Sequence, residues 1–146
     1  MVYKAPRQGC IYRQMFRSLF SLCALLMAVG TVILLHSAAI LDACAVSEET
    51  FGLAYANAVV WMALFLFLCL PLLRSIAKLV YVNALPALVG TVSAVIVLYA
   101  AHAVAEECEN SKHNLLLTSL GNVALALVLL VSEVGCPRKA DYAELK

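Results

Sequence analysis

The chain alternates between long apolar blocks and short polar segments. Four blocks contain no Asp, Glu, Lys or Arg, and they lie at Leu19–Leu35, Leu53–Leu73, Leu79–Ala105 and Leu115–Ser132. A helix needs about 20 mainly apolar residues to cross a hydrocarbon core of roughly 30 Å. The blocks are continuously apolar and do not alternate at every second residue, so they predict helices, which satisfy their own backbone polar groups in lipid. The pattern predicts an all-α membrane protein, a bundle of four transmembrane helices.

The expected architecture is a single membrane domain over residues 1–146. The spans are expected at residues 19–41, 51–73, 79–105 and 115–134, with short tails at 1–18 and 135–146. They form two helical hairpins joined by the basic turn Arg74-Ser75-Ile76-Ala77-Lys78. The chain is 64% hydrophobic and only 13% charged, whereas about 25% charged residues is usual in soluble domains.

The charged residues sort by sign between the two ends of the predicted helices. Nine of the ten Lys and Arg residues lie before the first span, between the second and third, or after the fourth: Lys4, Arg7, Arg13, Arg17, Arg74, Lys78, Arg138, Lys139 and Lys146. The other two loops hold Lys112 and the acidic residues Asp42, Glu48, Glu49, Glu106, Glu107 and Glu109. Because short loops rich in Lys and Arg stay in the cytoplasm, both termini are predicted to be cytoplasmic.

The first span has two alternative interpretations as a targeting segment. Ala43-Cys44-Ala45 has the small-x-small form of a signal-peptide cleavage site, but the apolar stretch is longer than the roughly 7–15 residues that a signal peptide uses. Cleavage would also place the two termini on opposite sides, against the charge pattern, so a retained span is favoured. The lack of acidic residues before Asp42 also suits a mitochondrial import signal, and this alternative stays open.

Small residues repeat with a heptad-like rhythm in the first and third spans. The helix-packing residues expected from this rhythm are Ala24, Ala28 and Thr31 in the first span and Ala87, Thr91 and Ala94 in the third. Small side chains let helix backbones approach closely in lipid, so these two spans are predicted to form the close-packed centre. The second span, with Trp61, Phe65 and Phe67, is predicted to show a bulkier face to lipid. Asn57, Asn83 and Asn122 are expected to form interhelical hydrogen bonds.

The two hairpins share a short repeat. Val29-Gly30-Thr31-Val32 recurs as Val89-Gly90-Thr91-Val92, and each copy is followed by a His, acidic residues and a Cys. Duplication of one hairpin and chance recurrence of common membrane residues are both compatible with this pattern.

The six cysteines divide by position. Cys44 and Cys108 are the only cysteines in the acidic loops, one in each, and they are predicted to form a disulfide if those loops meet an oxidising compartment. The alternative is two unpaired thiols at helix ends. Cys23 and Cys69 lie within spans and are expected to act as small apolar side chains. Cys136 and Cys10 lie near basic residues at the cytoplasmic side and are candidate palmitoylation sites.

Two further motifs carry residues that could have a chemical role. His102, Glu106, Glu109 and His113 would share one face of a continuous helix and could bind a metal ion or sense pH. A solvated acidic loop is the favoured interpretation, because Asn110-Ser111 is typical of a turn. In the C-terminal tail, Tyr142 and Leu145 have the spacing of a short sorting signal, in which an extended peptide offers Tyr and a bulky apolar side chain to an adaptor.

The sequence contains no recognised catalytic or phosphate-binding motif, so neither enzymatic activity nor a cofactor or metal is predicted. The leading hypothesis is a non-enzymatic multi-pass protein that organises or traffics with membrane partners through helix–helix contacts. The alternatives are a small channel or transporter subunit that forms a pore by oligomerisation, and an accessory subunit of a large membrane complex. The expected partners are the bilayer, other membrane proteins or a second copy, and cytoplasmic sorting adaptors, without nucleic acid. The plasma membrane or an endomembrane is favoured over the mitochondrial inner membrane.

Overall fold

The computed structural model describes residues 8–69 and 84–134, with side chains for residues 15–69 and 86–132. The described residues form four helices and no strand: α1 (Gln8–Leu41), α2 (Glu48–Cys69), α3 (Ala84–Glu107) and α4 (Lys112–Val134). Each helix is long and apolar enough to cross a membrane. The prediction of an all-α chain with four membrane-length helices is therefore confirmed. The first helix is longer than its predicted span and includes polar residues that precede Met15.

The helices form a ring in which each one packs against two neighbours. α1 packs against α2 and α4, and α3 packs against the same two helices, so α1 and α3 lie diagonally across the bundle. The prediction that the first and third spans pack together as the centre is therefore wrong. Their small residues are nevertheless buried: Ala24, Ala28, Thr31, Ala87 and Ala94 are each at most 1% exposed, and Thr91 is half-buried.

Large side chains from the other two helices explain this arrangement. Ala28 on α1 and Ala94 on α3 belong to one buried cluster with Trp61 on α2 and Leu129 on α4. The small residues therefore make room for bulky neighbours on α2 and α4, instead of allowing α1 and α3 to meet. A packed interior needs complementary large and small residues, and in this cluster the large ones, Trp61, Leu64 and Leu129, lie on α2 and α4.

Trp61 lies at the centre of the bundle and not at the lipid-facing surface. Its side chain is 0% exposed, which overturns the prediction that it faces lipid, whereas Phe65 and Phe67 are half-buried. Gly90 on α3 provides the space, since an added Cβ at this position would lie 3.0 Å from Cη2 of Trp61. The indole N–H also has a hydrogen-bond partner inside the bundle, as a buried Trp requires.

The α1–α2 and α3–α4 loops meet at one end of the bundle, which we call the disulfide end. Ala43 follows α1 with a φ of 49°, a left-handed conformation that ends the helix and turns the chain toward Cys44. Ser47 caps α2, because its hydroxyl oxygen accepts the backbone N–H of Thr50 at 3.3 Å. Glu48 and Glu49 lie in the first turn of α2, where a negative charge is favourable.

The repeated Gly-Thr pairs make comparable contacts on α1 and α3. Thr31 and Thr91 each donate a hydrogen bond to the carbonyl oxygen four residues earlier, at 3.0 and 2.7 Å. Gly30 faces Thr118 of α4, whereas Gly90 faces Trp61 of α2. If the second hairpin derives from the first, these are equivalent positions in the ring. Duplication of one hairpin stays a prediction.

Candidate functional site

A network of buried polar side chains links all four helices at the middle of the bundle. The side-chain oxygen of Asn122 on α4 accepts hydrogen bonds from Nε1 of Trp61 at 3.2 Å and from Nδ2 of Asn57 at 3.4 Å. The Asn122 amide donates to the backbone oxygen of Ala24 on α1 at 2.8 Å. The hydroxyl of Ser93 on α3 donates to the side-chain oxygen of Asn57 at 2.9 Å.

The network lies deep in the apolar part of the bundle. Asn57 is nine residues from the first residue of α2, which corresponds to about 14 Å at 1.5 Å per residue and so to nearly half of a 30 Å hydrocarbon core. Asn57 and Asn122 are both at most 1% exposed. The predicted interhelical bonding of these two residues is confirmed, while Asn83 lies outside the described residues. Ser93 and the indole of Trp61 are members that sequence reasoning missed.

The polar groups of this network are suited to holding the helices together. Amide, indole and hydroxyl groups do not change charge near neutral pH, so the network offers no proton-transfer group among its described members. Its polar atoms bond to one another across the helix interfaces. Hydrogen bonds of this kind stabilise helix association in lipid, where an unpaired polar group is costly. The network therefore holds the bundle in one arrangement.

The disulfide end is closed by a covalent bond. Cys44 and Cys108 lie at disulfide distance, with their Cα atoms 5.9 Å apart, in agreement with the predicted pairing. The Asp42 carboxylate accepts hydrogen bonds from the Ser111 hydroxyl at 2.5 Å and from the Asn110 amide at 3.5 Å. The two hairpins are therefore tied together at this end by one covalent link and by polar contacts beside it.

The row of potential metal ligands does not form a continuous face. α3 ends at Glu107, and His113 lies in the first turn of α4 beyond a reversal of the chain. Nδ1 of His102 lies 3.9 Å from Oε1 of Glu106, and both side chains are more than 60% exposed. Within the residues that the structure describes, no group of three or more His, Cys, Asp or Glu side chains could hold a metal ion.

One exposed side of α2 carries small residues. Gly52, Ala56 and Ala63 are all exposed, and a Cβ added at Gly52 would meet no atom within 4 Å. An apolar groove of about 370 Å³ runs beside this face between α2 and α3, lined by Leu53, Ala56, Leu88, Val89, Val92, Ser93 and Ile96. Small residues on an outward face permit the close approach of another helix.

The remaining predicted site residues lie mostly outside the described part of the chain. Cys136, Tyr142 and Leu145 fall beyond residue 134, and the side chain of Cys10 precedes the described side chains. Palmitoylation and the sorting signal therefore stay predictions. Cys23 is half-buried in α1, whereas Cys69 is exposed at the last described residue of α2.

Comparison of the chain with protein-family models, with curated proteins and with solved structures finds no match.

Proposed function

We propose that this chain is a non-enzymatic four-helix membrane protein that acts by binding other membrane proteins through its lipid-facing helix surfaces. The lipid-facing side of α2, defined by Gly52, Ala56 and Ala63, is the surface that fits this role best. Its proposed occupant is a transmembrane helix of a partner protein. The observation that carries the proposal is the exposure of small side chains on a membrane-length helix, beside an apolar groove.

The interior of the bundle supports the same proposal by its packing. Trp61, Asn57 and Asn122 are fully buried and bond to one another, and Ala24, Ala94 and Leu129 pack near them. The polar groups of the network form hydrogen bonds with other protein atoms. Binding of partners is therefore expected on the outside of the bundle.

The exterior of the bundle offers a large apolar surface for such contacts. Side chains with more than half of their surface exposed include Leu26 and Ile33 on α1, Val59 on α2, Tyr99 on α3 and Val131 on α4. Most of this surface is bulky, as lipid contact requires, and α2 differs by its small residues. In lipid, helix association depends on close packing of backbones, because apolar side chains gain little by leaving the hydrocarbon.

The proposal also includes a membrane topology, a location and a sorting signal. The basic loops and both termini are cytoplasmic, and the disulfide end lies in an oxidising compartment, which favours the plasma membrane or an endomembrane. The C-terminal tail presents Tyr142 and Leu145 to sorting adaptors. The sign separation of the charges and the Cys44–Cys108 bond support this arrangement.

The test is photo-crosslinking in native membranes with a photoreactive amino acid at Val59, an exposed position on the same helix face as Ala56 and Ala63. We expect discrete adducts with other membrane proteins, which are lost when Ala56→Ile is added. Isoleucine at position 56 would hold a partner helix away from the backbone of α2. The matched control is Ala124→Ile, because Ala124 is also an exposed alanine but lies on α4.

Two outcomes would contradict the proposal. One is capture of lipid alone at position 59, without any protein adduct. The other is capture only of a second copy of this chain, together with ion flux in liposomes, which would favour the oligomeric channel.

A further inference from the structure

A hydrogen-bonded pair of polar side chains faces outward at the contact between α1 and α2. Nε2 of His36 lies 2.5 Å from the phenolic oxygen of Tyr55. Both side chains are exposed, Tyr55 by 49%. The ring of Phe51 stacks on the His36 imidazole with a centroid separation of 4.6 Å. The two contacts hold the imidazole in a fixed orientation on the surface of the bundle.

The pair lies within the helices, about two turns or less from their ends at the disulfide end of the bundle. His36 is five residues before the last residue of α1, Leu41, and Tyr55 is seven residues after the first residue of α2, Glu48. At 1.5 Å per residue, the two side chains are about 8–11 Å from the disulfide end of their helices. Ionisable side chains within a membrane-spanning segment are rare and mark function by default, and His36 lies within the candidate span Met15–Leu41.

The pair leaves one polar hydrogen without an acceptor. If Nε2 of His36 accepts the Tyr55 hydroxyl hydrogen, then Nδ1 carries a hydrogen of its own. If Nε2 donates to Tyr55, then the Tyr55 hydroxyl hydrogen is left over. Neither side chain makes a second hydrogen bond within the part of the chain that the structure describes. In both neutral tautomers, therefore, one donor of these exposed side chains has no acceptor among the described residues and can bond to an oxygen atom from outside the bundle.

We propose that His36 and Tyr55 form a binding site for a glycerolipid, whose ester carbonyl oxygen accepts this hydrogen. Ester carbonyls lie between the headgroups and the hydrocarbon, and they are the hydrogen-bond acceptors of the bilayer closest to the pair. The inference goes beyond the proposed function, because it concerns a different face of the bundle and a different ligand.

The surface below the pair is suited to the acyl chain of the same lipid. Ile33 lies one turn from His36 toward the bilayer centre, and Met62 lies two turns from Tyr55 in the same direction. These side chains are exposed by 59% and 47%. A polar contact at the end of the helices thus continues directly into an apolar surface. This order of polar and apolar groups matches that of a glycerolipid.

The test compares two phosphatidylcholines that differ only in the presence of the ester carbonyl. Purified protein in mild detergent is mixed with equal amounts of a diacyl and a dialkyl ether phosphatidylcholine of the same chain length, and bound lipid is counted by native mass spectrometry. We expect the wild-type chain to retain the diacyl lipid several-fold over the ether lipid. The ratio should fall to one in the double variant His36→Leu, Tyr55→Phe.

The chain supplies a matched control on α3. His102 and Tyr99 are also an exposed His and an exposed Tyr on one helix, and the double variant His102→Leu, Tyr99→Phe makes the same chemical changes there. We expect it to keep the wild-type lipid ratio. A wild-type ratio of one, or an equal loss of preference in both double variants, would overturn the proposal. Emission from Trp61, the single tryptophan, checks that each variant remains folded, and the wild-type ratio decides the proposal independently of any variant.

Discussion

Replacing Asn122 with leucine is expected to destabilise the bundle by about 2–5 kcal/mol, because three interhelical hydrogen bonds of this side chain are lost together. Each such bond contributes roughly 0.6 kcal/mol on average and about 1.7 kcal/mol at most in a membrane. Leucine has a similar size, so the loss is mainly one of hydrogen bonding. The indole N–H of Trp61 would remain buried without its acceptor. Titration with a denaturing detergent measures the change in the free energy of unfolding.

The control for this substitution is Asn114→Leu, since Asn114 lies on the same helix but is exposed. It should change the free energy of unfolding by less than about 0.5 kcal/mol, as is usual for surface substitutions. Trp61 emission should change in Asn122→Leu and stay constant in Asn114→Leu. Equal stability of the two variants would show that the buried network does not hold the helices together.

Gly90→Val is expected to have the second largest effect, a loss of about 1–3 kcal/mol relative to Gly52→Val, which is the usual range for overpacking a core. At Gly90 an added Cβ would lie 3.0 Å from both Cδ1 of Leu64 and Cη2 of Trp61. Both side chains are buried, and the indole ring is rigid, so the α2–α3 interface must separate. At Gly52 the Cβ would meet open space.

Gly90 and Gly52 both lie inside helices, and both receive the same side chain in the two variants. The effect of valine on helix propensity therefore cancels in the difference between the two variants. The same detergent titration measures it. If Gly52→Val were as destabilising as Gly90→Val, the close contact between Gly90 and Trp61 would not be a determinant of the fold.

The sequence was sufficient to predict the helices and the covalent link between the hairpins. A continuous apolar run of about the length of a bilayer crossing must satisfy its own backbone polar groups in lipid, and a helix does so. Hydropathy is therefore enough to predict the four helices. Cys44 and Cys108 were the only cysteines in the two acidic loops, which predicted their pairing. Asn57 and Asn122 were predicted to bond between helices because a polar side chain in lipid needs a partner.

The order of the helices around the ring could not be obtained in this way. The small residues of α1 and α3 indicated close packing, but they do not specify whether the neighbour is another small-residue helix or a helix with large side chains. The sequence wrongly predicts that Trp61 faces lipid, because the size of this side chain resembles that of lipid-facing residues. Its contact with Gly90, 29 positions along the chain, depends on the tertiary arrangement. The His36–Tyr55 bond likewise required the α1–α2 contact to be known.

The proposed function depends on a topology in which both termini lie on one side of the membrane and the disulfide end lies on the other. Cysteine accessibility tests this topology most directly. The measurement uses intact cells that express a chain with tags at both termini and with alanine in place of the four cysteines other than Cys44 and Cys108. We expect a membrane-impermeant maleimide to label this chain only after reduction, while both tags stay inaccessible until the cells are permeabilised. Labelling without reduction, or exposure of one terminal tag on intact cells, would contradict a four-helix bundle with a disulfide at one side and both termini at the other.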